Sequence, residues 1–327
     1  MGSSSVKDMK KLAFLFPGQG SQTVGMGKDI FEAYEDIRKY YNMASEILGY
    51  DIKKLIFEGP SDTLSQTEYT QPAVFLTSYV IFKCFSEKYP EVLNYVKFVA
   101  GHSLGEYTAL CISGALSFEE TLKLVATRGK IMSEVSKQKP GGMVAVLGME
   151  KDTLIKICED IRAEGIIVEP VNFNTSQQIV VAGEIEGIYK LQKILEEKKI
   201  KNIRLKVSGA FHSSLMDTAQ KNFSKTLDNV IINNAFIPVI MNYTAKPHIL
   251  KQEILENLKQ QINHPVLWED SIKYMGENGV EIFIEFGPGK VLCGMLKSIL
   301  PQKIILNIEK LDSFELSYNI IKEKINT

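Results

Sequence analysis

Gly101-His102-Ser103-Leu104-Gly105 sets a serine hydroxyl between two glycines, each two positions away. The apolar run Val96 to Ala100 leads into this motif and an apolar-periodic segment follows it. A strand-to-helix turn this sharp lifts the serine side chain clear of a sheet, and the glycines leave room for the strained backbone. At the helix N-terminus, free N–H groups and the helix dipole favour a developing oxyanion. The chemistry this spacing points to is attack of Ser103 on an acyl carbonyl; the plain alternative is a packing turn holding an incidental serine.

A serine nucleophile needs a base, and the chain has 4 histidines. His102 neighbours Ser103, and adjacent side chains of an elbow point apart. His248 follows Pro247 in a polar turn and His264 precedes Pro265, both contexts that suit surface residues. By elimination the base is His212, in Ser208-Gly209-Ala210-Phe211-His212-Ser213. A lone histidine is more often part of the hydrogen-bonded framework, so that reading stays open.

Arg128 lies in a helical stretch, Phe118 to Val135, the second helix after the elbow. Most helix arginines are solvated. A buried one near Ser103 would imply an acidic acyl group, because guanidinium grips a carboxylate through two parallel bonds. The turn Pro17-Gly18-Gln19-Gly20-Ser21-Gln22 resembles a phosphate loop but fails both tests: Thr23 stands where G-x-G-x-x-G needs its last glycine, and Met26 replaces the P-loop lysine. A backbone donor to an oxyanion suits this turn better.

These residues need a scaffold that brings distant turns together. Leu12 to Phe16, Val96 to Ala100 and Glu281 to Phe286 are apolar runs, each ending in a glycine-rich turn. Such runs alternating with helices predict a parallel sheet covered on both faces, with ligands beyond the carboxyl ends of the strands. The middle of the chain reads strand Gly142 to Met149, helix 151–164, strands Val168 to Phe173 and Gln178 to Ala182, helix 185–198 and strand Ile203 to Val207. That β-α-β-β-α-β order is ferredoxin-like. The expected organisation is an α/β fold: a large, α/β-hydrolase-like domain at 9–139 and 208–310 carries the nucleophile elbow, and a small ferredoxin-like subdomain is inserted at 140–207. A peripheral helix is expected over 311–327, and residues 1–8 read as an expression leader.

The chain has 327 residues, a net charge of −1 and 45% hydrophobic residues. A near-neutral balance argues against nucleic-acid binding through bulk charge. No apolar run approaches the roughly 18 residues of a spanning helix. Cys84, Cys111, Cys158 and Cys293 are too scattered for a metal site or a disulfide framework. Neither a metal nor a cofactor is expected, and free thiols fit a cytoplasmic protein.

The chain resembles the malonyl-CoA:acyl-carrier-protein transacylases from residue 10 to about 310. The resemblance rests on Phe16-Pro17-Gly18-Gln19-Gly20-Ser21-Gln22, Gln71-Pro72-Ala73, Gly101-His102-Ser103-Leu104-Gly105-Glu106-Tyr107, Arg128-Gly129, Val171-Asn172-Phe173-Asn174, Gly209-Ala210-Phe211-His212 and Phe286-Gly287-Pro288-Gly289-Lys290-Val291-Leu292. It implies ping-pong transfer of a malonyl group from malonyl-CoA, through a serine ester on Ser103, to the phosphopantetheine thiol of acyl carrier protein, with His212 as base in both halves. It also implies an oxyanion hole from the N–H groups of Gln19 and Leu104, and Arg128 on the malonyl carboxylate. The base would be oriented by a backbone carbonyl near Gln261 instead of an aspartate. The family's usual Asn before Pro265 is His264 here. Phe211, beside the base, is the expected discriminator against branched acyl groups, since Ala-Phe-His accompanies malonyl use and Ala-Ser-His methylmalonyl use. A monomer is expected, with Lys198, Lys199, Lys201, Arg204 and Lys206 as the densest basic patch for an acidic carrier protein. A serine hydrolase, a non-catalytic partner of fatty acid or polyketide synthesis, and an excised polyketide synthase domain are the rival readings.

Overall fold

The computed structural model describes residues 11–207 and 209–325; the leader expected at 1–8 lies outside them. The fold is built on β1 (Leu12–Phe16), whose five residues are all buried. Successive side chains of a strand point to opposite faces. Leu12, Phe14 and Phe16 accordingly enter the larger apolar core, and Ala13 and Leu15 the smaller one behind the sheet. β1 pairs in parallel with β2 (Val96–Gly101) on one side and β9 (Ile282–Phe286) on the other. β7 (Val239–Ile240) extends the sheet beyond β2, and β10 (Ile304–Ile308) extends it beyond β9, both in parallel. β8 (Pro247–His248) closes the β7 edge antiparallel.

The helix Thr67–Lys88 lies on the larger-core face and is buried along most of its length. Its Phe82 meets Phe14 and Phe286, and its Phe85 meets Phe286, in edge-on contacts, with Phe14 and Phe286 ring centres 5.0 Å apart. The helix Asp312–Ile325 covers the same region, burying Phe314 against Phe85.

β3 (Gly141–Leu147), β4 (Val168–Thr175), β5 (Gln178–Glu184) and β6 (Lys201–Arg204) form a separate antiparallel sheet in the order β4-β5-β3-β6. With the helices Lys151–Arg162 and Ile185–Glu197 this is the ferredoxin-like arrangement. Val144, Val146, Ile179 and Val181 face those helices in a core of their own. Met143, Ala145, Val180 and Ala182, from the opposite face, join the larger core, so the sheet docks on the parallel domain. β4 also reaches across: Val266 N–H donates to Val171 C=O and Phe173 N–H to Val266 C=O.

The last of these strands differs from expectation. Ile203 to Val207 reads as a strand, but β6 ends at Arg204. Leu205 and Val207 owe their apolar character to packing against the larger core as the chain leaves the sheet. β7, β8 and β10 were not expected from the sequence at all; the first two are only two residues long, too short for any periodicity.

The elbow helix Gly105–Ile112 runs so close to β1 that a Cβ on Gly105 would fall 2.0 Å from Phe16 C=O. Neither backbone can move without breaking the sheet. Gly105→Ala is expected to cost about 3 kcal/mol or more in equilibrium unfolding; a loss below about 1 kcal/mol would mean the helix does not sit this tightly on β1.

Candidate active site: a serine, a histidine and a buried arginine

Ser103 sits at the turn between β2 and the elbow helix with φ 49°, a left-handed conformation that costs a non-glycine residue about 1–3 kcal/mol. Asn242, just after β7, secures it. Its Oδ1 accepts the Ser103 N–H at 2.7 Å and its Nδ2 donates to Gly101 C=O at 2.7 Å. With that N–H taken, Leu104 N–H is the free donor of the elbow. Gly18 runs past it, its absent side chain allowing an approach that a Cβ would block at 2.4 Å from His102 C=O. Among the described residues neither Leu104 N–H nor Gln19 N–H has a protein acceptor.

Ser103 Oγ lies 2.7 Å from His212 Nε2. The imidazole is held from behind by the end of the helix Lys251–Gln261, whose last carbonyls lack intrahelical partners. Gln261 C=O is 2.8 Å from His212 Nδ1, and Ile262 C=O accepts the His212 N–H at 3.0 Å. This fixes the tautomer with Nδ1 protonated and Nε2 free to take a proton. The negative end of the helix dipole also favours an imidazolium when it forms. Burial, then the nearby Arg128 charge, push His212 down from 6.5 to about 3, so it is neutral at physiological pH.

Arg128 is 1% exposed. It reaches the elbow because its helix, Phe118–Gln138, crosses the Thr67–Lys88 helix at Gly129, where a Cβ would lie 2.8 Å from Thr67 C=O. Its Nη2 donates to Ser103 Oγ at 3.1 Å and to Gln261 Oε1 at 3.0 Å, and its Nη1 to Gln71 Oε1 at 2.8 Å. The guanidinium also stacks over Tyr107 at 5.4 Å. Its Nε has no partner among the described residues. A buried cation beside a serine hydroxyl, with N–H groups to spare, is a receptor for an anion on the acyl group. A hydroxyl, a neutral imidazole and free N–H groups can in turn support acyl transfer through an ester.

A family model described as "Acyl transferase domain" matches residues 13–311. The chain belongs to the acyl transferase family. It is 38% identical over 317 residues to a malonyl CoA-acyl carrier protein transacylase of Bacillus subtilis (strain 168), covering 97% of this chain and 99% of the relative. The crystal structure of FabD from Acinetobacter baumannii superposes with a TM-score of 0.91 at 32% identity, over 96% of this chain and 99% of that one. A malonyl-transacylase in complex with a type II polyketide synthase acyl carrier protein superposes at 0.90, with 32% identity and 95% and 99% coverage.

In this acyl transferase Ser103, His212, Arg128 and Gln261 meet at one point, with Gln19 and Leu104 beside it. His102 points elsewhere, 2.8 Å from Asn174 Oδ1 and edge-on to Trp268. Phe211 is buried in the larger core. Gln19 and Gly20 separate a cleft of about 950 Å³, which Thr67, Lys137 and Lys206 also line, from a cavity of about 220 Å³ reaching His102, Asn172 and Asn174. His264 Nδ1 lies 2.9 Å from both Gln260 C=O and Asn263 Oδ1, beside a third cavity that touches His212. The basic residues run from the end of the Ile185–Glu197 helix through β6, where Arg204 lies over Tyr189, to Lys206 on the large cleft.

Sequence reasoning missed three members of the network. Gln71 and Glu106 stand inside quoted motifs without a role, and Asn242 lies in no motif. Glu106 is buried and accepts Asn242 N–H and Gln261 Nε2; burial pushes its carboxyl up to about 8, against the pull of those donors and of Arg128.

His212 is expected to titrate well below 6.5 by NMR, and Arg128→Ala to move it upward by removing the adjacent positive charge. A titration near 6.5, unaffected by that substitution, would contradict the geometry.

Proposed function

We propose that the protein transfers malonyl groups from malonyl-CoA to the phosphopantetheine thiol of holo acyl carrier protein, supplying fatty acid elongation. The observation that carries this reading is Arg128, a dry guanidinium 3.1 Å from the serine hydroxyl. A simple serine hydrolase has no use for a cation there, and a non-catalytic partner has no use for the full set. The acyl-carrier-protein substrate follows from the relatives' activity.

Ser103 Oγ bonds to the thioester carbonyl carbon while its proton passes to His212 Nε2. Leu104 and Gln19 N–H groups receive the oxyanion. Collapse breaks the C–S bond, and CoA leaves with the proton from His212. In the second half the carrier thiol gives its proton to Nε2, its sulfur bonds to the carbonyl carbon, and Ser103 Oγ leaves with the proton. These residues balance the reaction without a cofactor. Pairing of the malonyl carboxylate with Arg128 has a further effect: burial still suppresses His212, but the Arg128 charge that adds to it is cancelled, so the base gains proton affinity when the acidic acyl group is seated.

The cleft lined by Lys137 and Lys206 suits an anionic, extended arm. The basic run from Lys198 to Lys206 suits an acidic carrier protein. All four cysteines are free, which agrees with a cytoplasmic setting. Phe211, which precedes the base and is buried in the larger core, limits branching on the acyl carbon.

Incubation with malonyl-CoA should add a malonyl group to the Ser103 peptide, read by mass spectrometry, and Ser103→Ala should abolish it without unfolding the chain. Arg128→Ala should cost malonyl transfer about 2–5 kcal/mol while acetyl transfer holds or improves. Equal losses would make Arg128 structural, and release of free malonate faster than transfer to carrier protein would favour the hydrolase.

Phe211→Ser should raise the methylmalonyl-to-malonyl ratio roughly ten- to a hundredfold, the worth of one methyl in an apolar pocket. An unchanged ratio, with both substrates depressed, would leave Phe211 as core support for His212.

A further inference from the structure

Glu106 touches no reacting atom, yet it is 1% exposed and sits within the polar network under the elbow. Its Oε2 accepts Asn242 N–H, and its Oε1 accepts Gln261 Nε2 at 3.0 Å. The second contact decides how the Gln261 amide is turned. That amide has two orientations, and only one puts its oxygen against Arg128, which offers donors alone. On the other side Gln261 Nε2 meets Ser103 C=O at 2.8 Å and Glu106 Oε1 at 3.0 Å, both acceptors. Ser103 C=O and Glu106 Oε1 thus take the two N–H groups of that amide, and without Glu106 Oε1 one of them is left unpaired. Asn242, fixed by the same carboxylate, clamps the Ser103 N–H.

Resting on the malonyl reading above, we propose that Glu106 is a positioning residue for acyl selectivity: it locks the Gln261 amide with Oε1 toward Arg128 and so aims the guanidinium at the acyl carboxylate. A glutamine at 106 has nearly the same shape but one acceptor. Its oxygen meets the fixed Asn242 N–H, which leaves its NH2 facing the NH2 of Gln261. Relieving that clash turns Gln261 over and sets its NH2 against the Arg128 donors. The cation then loses its aim, while Ser103 and His212, whose Nδ1 bond goes to the Gln261 backbone, stay in place.

The test is a cycle of Glu106→Gln, Gln261→Ala and the double variant in the full-length protein, assayed with malonyl-CoA and acetyl-CoA. Each single variant should raise KM for malonyl-CoA about tenfold, the worth of one hydrogen bond to a charged group. KM for acetyl-CoA should rise by a smaller factor than KM for malonyl-CoA. The double variant should be no worse than Gln261→Ala alone, because both changes break one linkage. Glu106→Asp, which keeps two acceptors, should lie between wild type and Glu106→Gln, and takes the place of Glu106→Gln in the cycle if that variant fails to fold. Additive losses, or equal losses with both acyl groups, would overturn the proposal. A wild-type protein that transfers no malonyl group would instead refute the functional reading itself.

Discussion

The site depends on burying one positive charge without an ion-pair partner. Arg128 is almost wholly removed from water, and among the described residues no carboxylate lies within ion-pair distance of it. Leaving a cation so placed costs several kcal/mol unless neutral dipoles surround it. The chain surrounds it with amide oxygens of Gln71 and Gln261, the Ser103 hydroxyl and the face of Tyr107. They come from three separate parts of the chain, and the strands and helices described above serve to deliver them. The same charge adds to burial in keeping His212 neutral, so the anion receptor also acts on the base.

The parts of this arrangement legible in the sequence are those written contiguously. β1, β2 and β9 are unbroken apolar runs because a central parallel strand is buried on both faces, and the elbow shows in five consecutive residues. From residue types alone His212 could be reached only by elimination, since its Nδ1 partner is a backbone carbonyl that any residue could supply. What orients it is a helix end, and a helix end leaves little trace in residue type. Asn242 and Gln71 were illegible for a different reason. Each acts through a single hydrogen bond or two across the fold, from a residue type common on any surface. β6 was misplaced because Leu205 and Val207 are apolar for the larger core and not for the sheet.

Two residues in the site carry strained backbones, Ser103 at φ 49° and His212 at φ 63°. Both strains are met by the same stretch of chain. Asn242 holds the Ser103 N–H, and the end of the Lys251–Gln261 helix holds the His212 N–H and ring. Gln261 joins the two, its backbone carbonyl on the base and its side chain between the elbow carbonyl and Arg128. Nucleophile, base and anion receptor therefore share one hub, and their relative positions are set together.

The neutrality of that hub is a condition of selectivity. A glutamate at 71 or 261 would form a buried ion pair with Arg128 and satisfy the guanidinium outright. The protein would gain a partner for its charge, but a malonyl carboxylate would then have to displace it and leave a second buried anion unpaired. Amide oxygens orient the guanidinium through hydrogen bonds and leave its net charge uncancelled. Glu106 stands one group further away, near enough to turn Gln261 and too far to pair with Arg128 directly. The discrimination between an acidic and a neutral acyl group thus rests on placing the Glu106 carboxyl behind an amide.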